Sequence, residues 1–245
     1  MNEKAQFSKA SSKNSANFDL QEIENISVEE LLKKKYDVIE FDGSQFEMFK
    51  PLITVLDWNT NHIATADCLI LKNNLYKPHH ILAGALIRLL KKNVKRMNSL
   101  LPVIVIGDIH FVISVVTKLA LSGFIEIIVS IIDSNDKLLE DFENRIRSFV
   151  FNLNFKIIPI NDLTSIEQAG FLLISNFKKE KNKDAYELLT YFNFLSEGAT
   201  FIDCNSMTDS FLIEDAIKAD IFVIDEVQVL EEKYNYLLDL LKNSP

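Results

Sequence analysis

The chain has 245 residues, of which 48% are hydrophobic and 25% charged, and carries a formal net charge of -9. That length suits one large domain or two small ones, and the acidic balance excludes a broad basic footprint for nucleic acid or a membrane surface. No apolar run reaches the roughly 20 residues that a bilayer-spanning helix needs, and Cys68 and Cys204 stand far apart, outside any metal-type spacing.

A reduced, cytoplasmic protein without a secretory signal is therefore expected. The basic clusters Lys33 to Lys35, Lys91 to Arg96 and Lys178 to Lys183 read as solvated helix faces or loops. Residues 1–18 are polar and rich in Ser, Asn and Lys, the composition of a flexible arm. Ser27 is a helix cap for a short helix near 28–35, and Tyr36 to Phe41 alternates like a strand. Asp42-Gly43-Ser44 is a turn, and Gln45 to Asp57 is helical with an interruption at Pro51. Cys68 to Lys77 forms a hairpin around Asn73-Asn74. Pro78 opens a helix whose apolar stripe runs from Ile81 to Leu90.

From Pro102 onward strands and helices alternate. Strands are predicted at 103–106, 126–131, 155–158, 171–174, 200–203 and 221–224, and helices at 109–122, 135–149, 184–196, 210–218 and 227–242. This is the pattern of an α/β protein with a doubly wound parallel sheet. The predicted organisation is an N-terminal arm at 1–18, a small α/β lobe at 19–78 and a linking helix at 79–100. A Rossmann-like domain then spans 101–226, and a C-terminal helix at 227–245 packs back toward the first lobe. The stretch Leu101 to Asp133 is its centre: a buried strand, a single glycine at Gly107, an apolar helix, Gly123 and a second buried strand. The turn after such a first strand is where a nucleotide phosphate sits in dinucleotide-binding folds.

Six pieces in this order resemble the shikimate dehydrogenase family. Val103 to Gly107 with Leu119 to Gly123 and Ile127 to Val129 resembles its first βαβ unit. Gly198 to Asn205 resembles the strand "G-a-x-v-x-D-x-x", Phe211 to Ala216 the helix "T-x-L-L-x-x-A", and Ile221 to Leu230 the segment "v-i-d-G-x-x-M-L". Tyr36 to Asp57 resembles the segment carrying "N-V-T-x-P-x-K", and Ala66 to Tyr76 the "A-x-N-T" hairpin. The resemblance implies a two-lobed fold and, for an active member, NADP- or NAD-dependent hydride transfer at a shikimate-type ring.

The functional positions depart from that pattern. The family's catalytic lysine falls on Phe46, and the asparagine, threonine and proline before it fall on Glu40, Asp42 and Ser44. The hairpin asparagine falls on Asp67. The "N-T-D" tripeptide, whose aspartate partners the lysine, falls on His79-His80-Ile81, and a late substrate-contacting glutamine falls near Lys233. The N-terminal "S-x-S-P-x-x-H-N" has only an echo in Ser11 to Asn14. The glycine-rich "G-A-G-G-A" falls on Gly107-Asp108-Ile109-His110-Phe111, and the NADP-selecting "N-R-T" on Ile131-Ile132-Asp133. Ile109 puts a branched side chain where the backbone must approach a pyrophosphate, and Asp108 puts a negative charge there. Asp133 could bond a ribose diol, but only beside a turn that admits the pyrophosphate.

Other polar residues have competing readings. His79 and His80 are a helix start exposed in the interlobe cleft rather than a metal pair, because adjacent histidines diverge on a helix. Asp42 and Asp67 are turn aspartates unless they meet as an acid–base pair. His110 could join backbone N–H groups in holding a small anion. Asp203 lies at a strand end where α/β sheets bind ligands. Cys204 beside it lacks a base and reads as a packed thiol. Tyr191 to Phe194 is core by default and otherwise a contact patch. Trp58 reads as core.

The expectation is thus a degenerate shikimate dehydrogenase-like protein that has kept its fold for binding, regulation or assembly. No cofactor and no metal are expected. Its partner would be another protein or a small ligand in the cleft, with Asp42, Asp67, His79, His80, Asp203 and Lys233 as candidate lining residues. Nucleic acid and membrane are not expected partners. The competing expectation is an active NADP- or NAD-dependent dehydrogenase with a rebuilt site.

Overall fold

The computed structural model describes residues 4–9, 19–24, 28–34, 36–53, 63–92, 101–132, 135–149, 153–175, 177, 183–204 and 211–242. The chain divides into two compact units, Met1–Ile81 with Leu241–Pro245, and Leu82–Leu240.

The first unit is built on an antiparallel sheet. Its strands are β1 (Lys4–Lys9), β2 (Asp19–Glu24), β3 (Val38–Glu40), β4 (Cys68–Lys72) and β5 (Leu75–His79), in the order β2-β1-β3-β4-β5. The β4–β5 hairpin turns at Asn73 and Asn74, with φ of 49° and 62°. Two successive left-handed residues match the twist of the flanking strands, and asparagine tolerates that conformation better than most side chains. Two helices, α1 (Val28–Lys34) and α2 (Phe46–Phe49), accompany the sheet. Leu31, Ile39, Phe41, Phe46, Phe49 and Leu69 belong to one buried cluster. The Phe41 and Phe49 rings sit 4.5 Å apart within it.

Two expectations are corrected here. Pro78 does not open a helix but lies in β5, opposite Leu69. Strand β5 is a sheet edge, where a residue without an N–H leaves no ladder bond unmade. Within the described part of the helix expected over Gln45 to Asp57, α2 is followed by one tight turn at Lys50–Leu52 that contains Pro51, and residues 54–57 lie outside the described residues. Ile53 is already extended and bridges Tyr76. Trp58 and Asp133 lie outside the described residues, as do residues 1–3 and 10–18 of the N-terminal stretch and residues 93–100 of the basic stretch after Lys92.

The second unit is built on a six-stranded parallel sheet: β6 (Val103–Gly107), β7 (Glu126–Ile131), β8 (Asn154–Ile157), β9 (Ala169–Ile174), β10 (Leu195–Asp203) and β11 (Phe222–Ile224). The order β11-β10-β9-β6-β7-β8 is that of a Rossmann fold. Strands β6 and β9 are buried along their whole length, which explains why neither carries a polar side chain. Helix α3 (Ile81–Lys92) precedes the sheet. Helices α4 (Ile109–Leu121), α5 (Asp136–Phe149), α6 (Lys183–Leu189) and α7 (Phe211–Lys218) connect its strands, and α8 (Glu226–Lys242) follows the last.

The helix expected over 184–196 stops at Leu189, and β10 begins early, at Leu195. Phe192 has a φ of 48°, which no helix continues through. That turn buries Phe192 and Phe194 while Tyr191 is 71% exposed. Core burial therefore overrides helical periodicity at this point.

Candidate functional site

The strand order fixes where a ligand site would form. Chain direction across the sheet reverses between β6 and β9, and α/β sheets bind ligands outside the carboxyl ends of strands at such a switch. Gly107 ends β6 and Ser175 follows β9, with the Ser175 N–H donating to the Ile106 carbonyl at 3.0 Å. The turn Gly107-Asp108-Ile109-His110-Phe111 sits at this switch.

That turn is filled by its own side chains. Asp108 is the N-cap of α4 and is extended, with φ -68° and ψ 164°. Its Oδ1 accepts from the backbone N–H groups of His110 at 2.9 Å and Phe111 at 3.0 Å. These amides, at the positive end of the helix dipole, are the groups that would bind a phosphate. Gly107 lacks a side chain, yet the space a Cβ would enter is already taken. Phe111 Cδ1 would lie 2.6 Å from that Cβ and the Ser175 carbonyl oxygen 3.0 Å. The glycine thus accommodates the buried Phe111 ring rather than leaving a cradle open. His110, read as an anion ligand, has its N–H committed to Asp108. Ile109, which bears the branched side chain, is half-buried.

At the end of β10, Asp203 is buried, and the Cys204 N–H donates to the Ile174 carbonyl at 2.8 Å. Burial pushes the Cys204 thiol far above its ordinary range, and the charges of Asp203 and Glu226 add to the effect while Lys233 opposes it. That environment favours the neutral thiol over the thiolate a nucleophile needs.

In the first unit the candidate carboxylates have structural tasks. Asp42 Oδ1 accepts from the Ser44 N–H at 2.8 Å and the Ser44 hydroxyl at 2.6 Å, while the Asp42 N–H donates to Gln45 Oε1 at 3.1 Å. This is a reciprocal capping box. Asp67 Oδ1 accepts from the Ile81 N–H at 2.6 Å and so caps the start of α3. Phe46, which the resemblance sets at the family's lysine, is 1% exposed. Ile81, which the resemblance sets at the family's aspartate, is wholly buried. His79 ends β5, and His80 is buried rather than exposed, which corrects the reading of this pair as an open helix start. Among the described residues no group of three or more His, Cys, Asp and Glu side chains could hold a metal ion. No described helix is long and apolar enough to cross a membrane.

Sequence reasoning missed the parts played by Phe111 and Ser175. Phe111 is four residues after Gly107, one helical turn away, so its reach back over the glycine was available from spacing. Ser175 carried no signal, because its position depends on the β6–β9 pairing.

No protein-family sequence model matches the chain, and no characterised protein matches it by sequence. Solved structures do match. Shikimate 5-dehydrogenase from Listeria monocytogenes, solved in complex with shikimate and NAD, superposes with a TM-score of 0.72 at 11% identity, over 89% of this chain and 76% of that one. Mycobacterium tuberculosis shikimate dehydrogenase gives 0.66 at 11% identity, over 90% and 81%. The 5-ketofructose reductase of a Gluconobacter species gives 0.64 at 10% identity, over 87% and 76%. Identities this low establish the fold alone.

Proposed function

Starting from a shikimate dehydrogenase-like fold, we propose that the chain is a non-catalytic relative of the dehydrogenases, kept as a binding, regulatory or assembly module. The observation that carries this reading is the Asp108 carboxylate on the N–H groups of His110 and Phe111. A dinucleotide pyrophosphate would have to displace a covalently tethered anion and then sit beside it. Both the lost hydrogen bonds and like-charge repulsion oppose that exchange. The Phe111 ring against Gly107 adds a steric barrier.

The substrate side supports the same reading independently. Phe46 and Ile81 cannot exchange protons with a substrate hydroxyl, and both are core residues. Asp42 and Asp67 are engaged in capping, so neither replaces the missing pair. The occupant of this fold is then another protein or a small ligand recognised without a nicotinamide cofactor.

The test is a steady-state assay of purified protein with shikimate and either NADP or NAD. The reading predicts no nucleotide reduction above the protein-free rate. Shikimate-dependent reduction that follows the protein through purification would overturn it.

A further inference from the structure

Helix α8 is joined to α3 by a cluster of charged contacts around one buried carboxylate. Of its 17 residues, Val229, Glu232 and Leu237 are the buried ones described, and one of these is a carboxylate. Glu232 pairs with Lys92 and lies 3.9 Å from the Arg88 guanidinium. Arg88 also pairs with Asp239 at 2.6 Å and stacks 4.6 Å from the centre of the Tyr236 ring. That ring covers Gly84, where any Cβ would run into it. Gly84, Arg88 and Lys92 are spaced four apart and share one face of α3. Glu232, Tyr236 and Asp239 share one face of α8. The two stripes meet in opposite order, Gly84 with Tyr236 at one end and Lys92 with Glu232 at the other.

We propose that α8 is a charge-latched helix, which opens as a unit from α3 while the parallel sheet stays folded. The side chain of Glu232 is 4% exposed, whereas those of Lys92 and Arg88 are 62% and 35% exposed. The cations can return to water at small cost and the carboxylate cannot. Loss of the cations therefore strands a buried charge, a strongly unfavourable state that is relieved when the helix lifts. Strands β6 and β9 have no such polar weak point, so their amides open only with the whole unit. The latch controls exposure of the α3 face that carries Gly84 and Arg88.

Hydrogen exchange read by mass spectrometry on the full chain tests the proposal. In the unmodified protein the amides of α8 should exchange at least about tenfold faster than those of β6 and β9. The double variant Arg88→Met with Lys92→Met should speed α8 exchange by about tenfold more and leave β6 and β9 unchanged. Adding Glu232→Gln to that pair should slow α8 again, because the stranded charge is gone. Equal exchange of α8 and the sheet in the unmodified protein would overturn the proposal. So would a double variant in which α8 is unaffected, or a triple variant that does not recover.

Discussion

Asp108 holds the backbone N–H of Phe111 at 3.0 Å, and the ring of the same Phe111 occupies the space beside Gly107. One cap and one ring, three residues apart, close a turn that dinucleotide-binding folds keep open. The same residues also start α4, so filling the turn and folding the helix are one event.

Replacing Asp108 with Ala should cost stability rather than create a nucleotide site. Loss of an N-cap typically costs about 1 kcal/mol, and urea unfolding should show a lower midpoint of that order. Ile109→Gly alone should likewise fail to produce NADP binding, because the Asp108 carboxylate remains on the N–H groups. Micromolar NADP binding by the Ile109→Gly variant in calorimetry would show that sterics alone closed the turn.

Gly107→Ala should destabilise by about 1–3 kcal/mol, the usual range for overpacking a core, because the new methyl meets Phe111 and the Ser175 carbonyl. Phe111→Ala should offset part of that loss, so the double variant should be more stable than the sum of the singles. Additive losses would mean that the ring and the glycine are not coupled.

Phe46→Lys, the residue type that the resemblance implies there, should unfold the first unit rather than yield activity. Phe46 is 1% exposed within an aromatic cluster. Truncating a buried Phe costs about 3–5 kcal/mol, and a buried unpaired ammonium adds to that. A folded Phe46→Lys variant that oxidises shikimate would contradict the account of this lobe.

Tyr76 gives a pH signature. Burial, with the Asp37 charge adding, raises its hydroxyl from the ordinary 10.0 to about 12. Below pH 10 both folded and unfolded forms are neutral, and the contribution to stability is complete. Between 10 and 12 the unfolded chain ionises first, so stability is lost as pH rises through that window. Urea midpoints should fall more steeply there for the unmodified protein than for Tyr76→Phe. Parallel curves would show that this hydroxyl is not held in its neutral form.

Much of the fold was legible in the sequence because buried parallel strands leave unbroken apolar runs. Val103 to Ile106 and Ile127 to Val129 are readable for that reason. Pro78 misled because helix starts and sheet edges both tolerate a residue without an N–H, and local sequence does not separate them. The helix expected over 184–196 ends at Leu189 because Phe192 obeys a tertiary demand for burial that outweighs its local preference. At the candidate site, the sequence displayed a turn, Gly107 to Phe111, with a single glycine. It did not show that Asp108 would turn inward onto the N–H groups, which depends on backbone angles.

The most direct measurement is the melting temperature of the full chain titrated with NADP and with NAD, each with and without shikimate. A ligand at a hundred times its dissociation constant stabilises a fold by about 2.7 kcal/mol, a clear upward shift. A turn occupied by Asp108 and Phe111 predicts no shift with either nucleotide up to millimolar concentration. A saturable rise with NADP or NAD, lost in a variant of the Gly107–Phe111 turn, would contradict it.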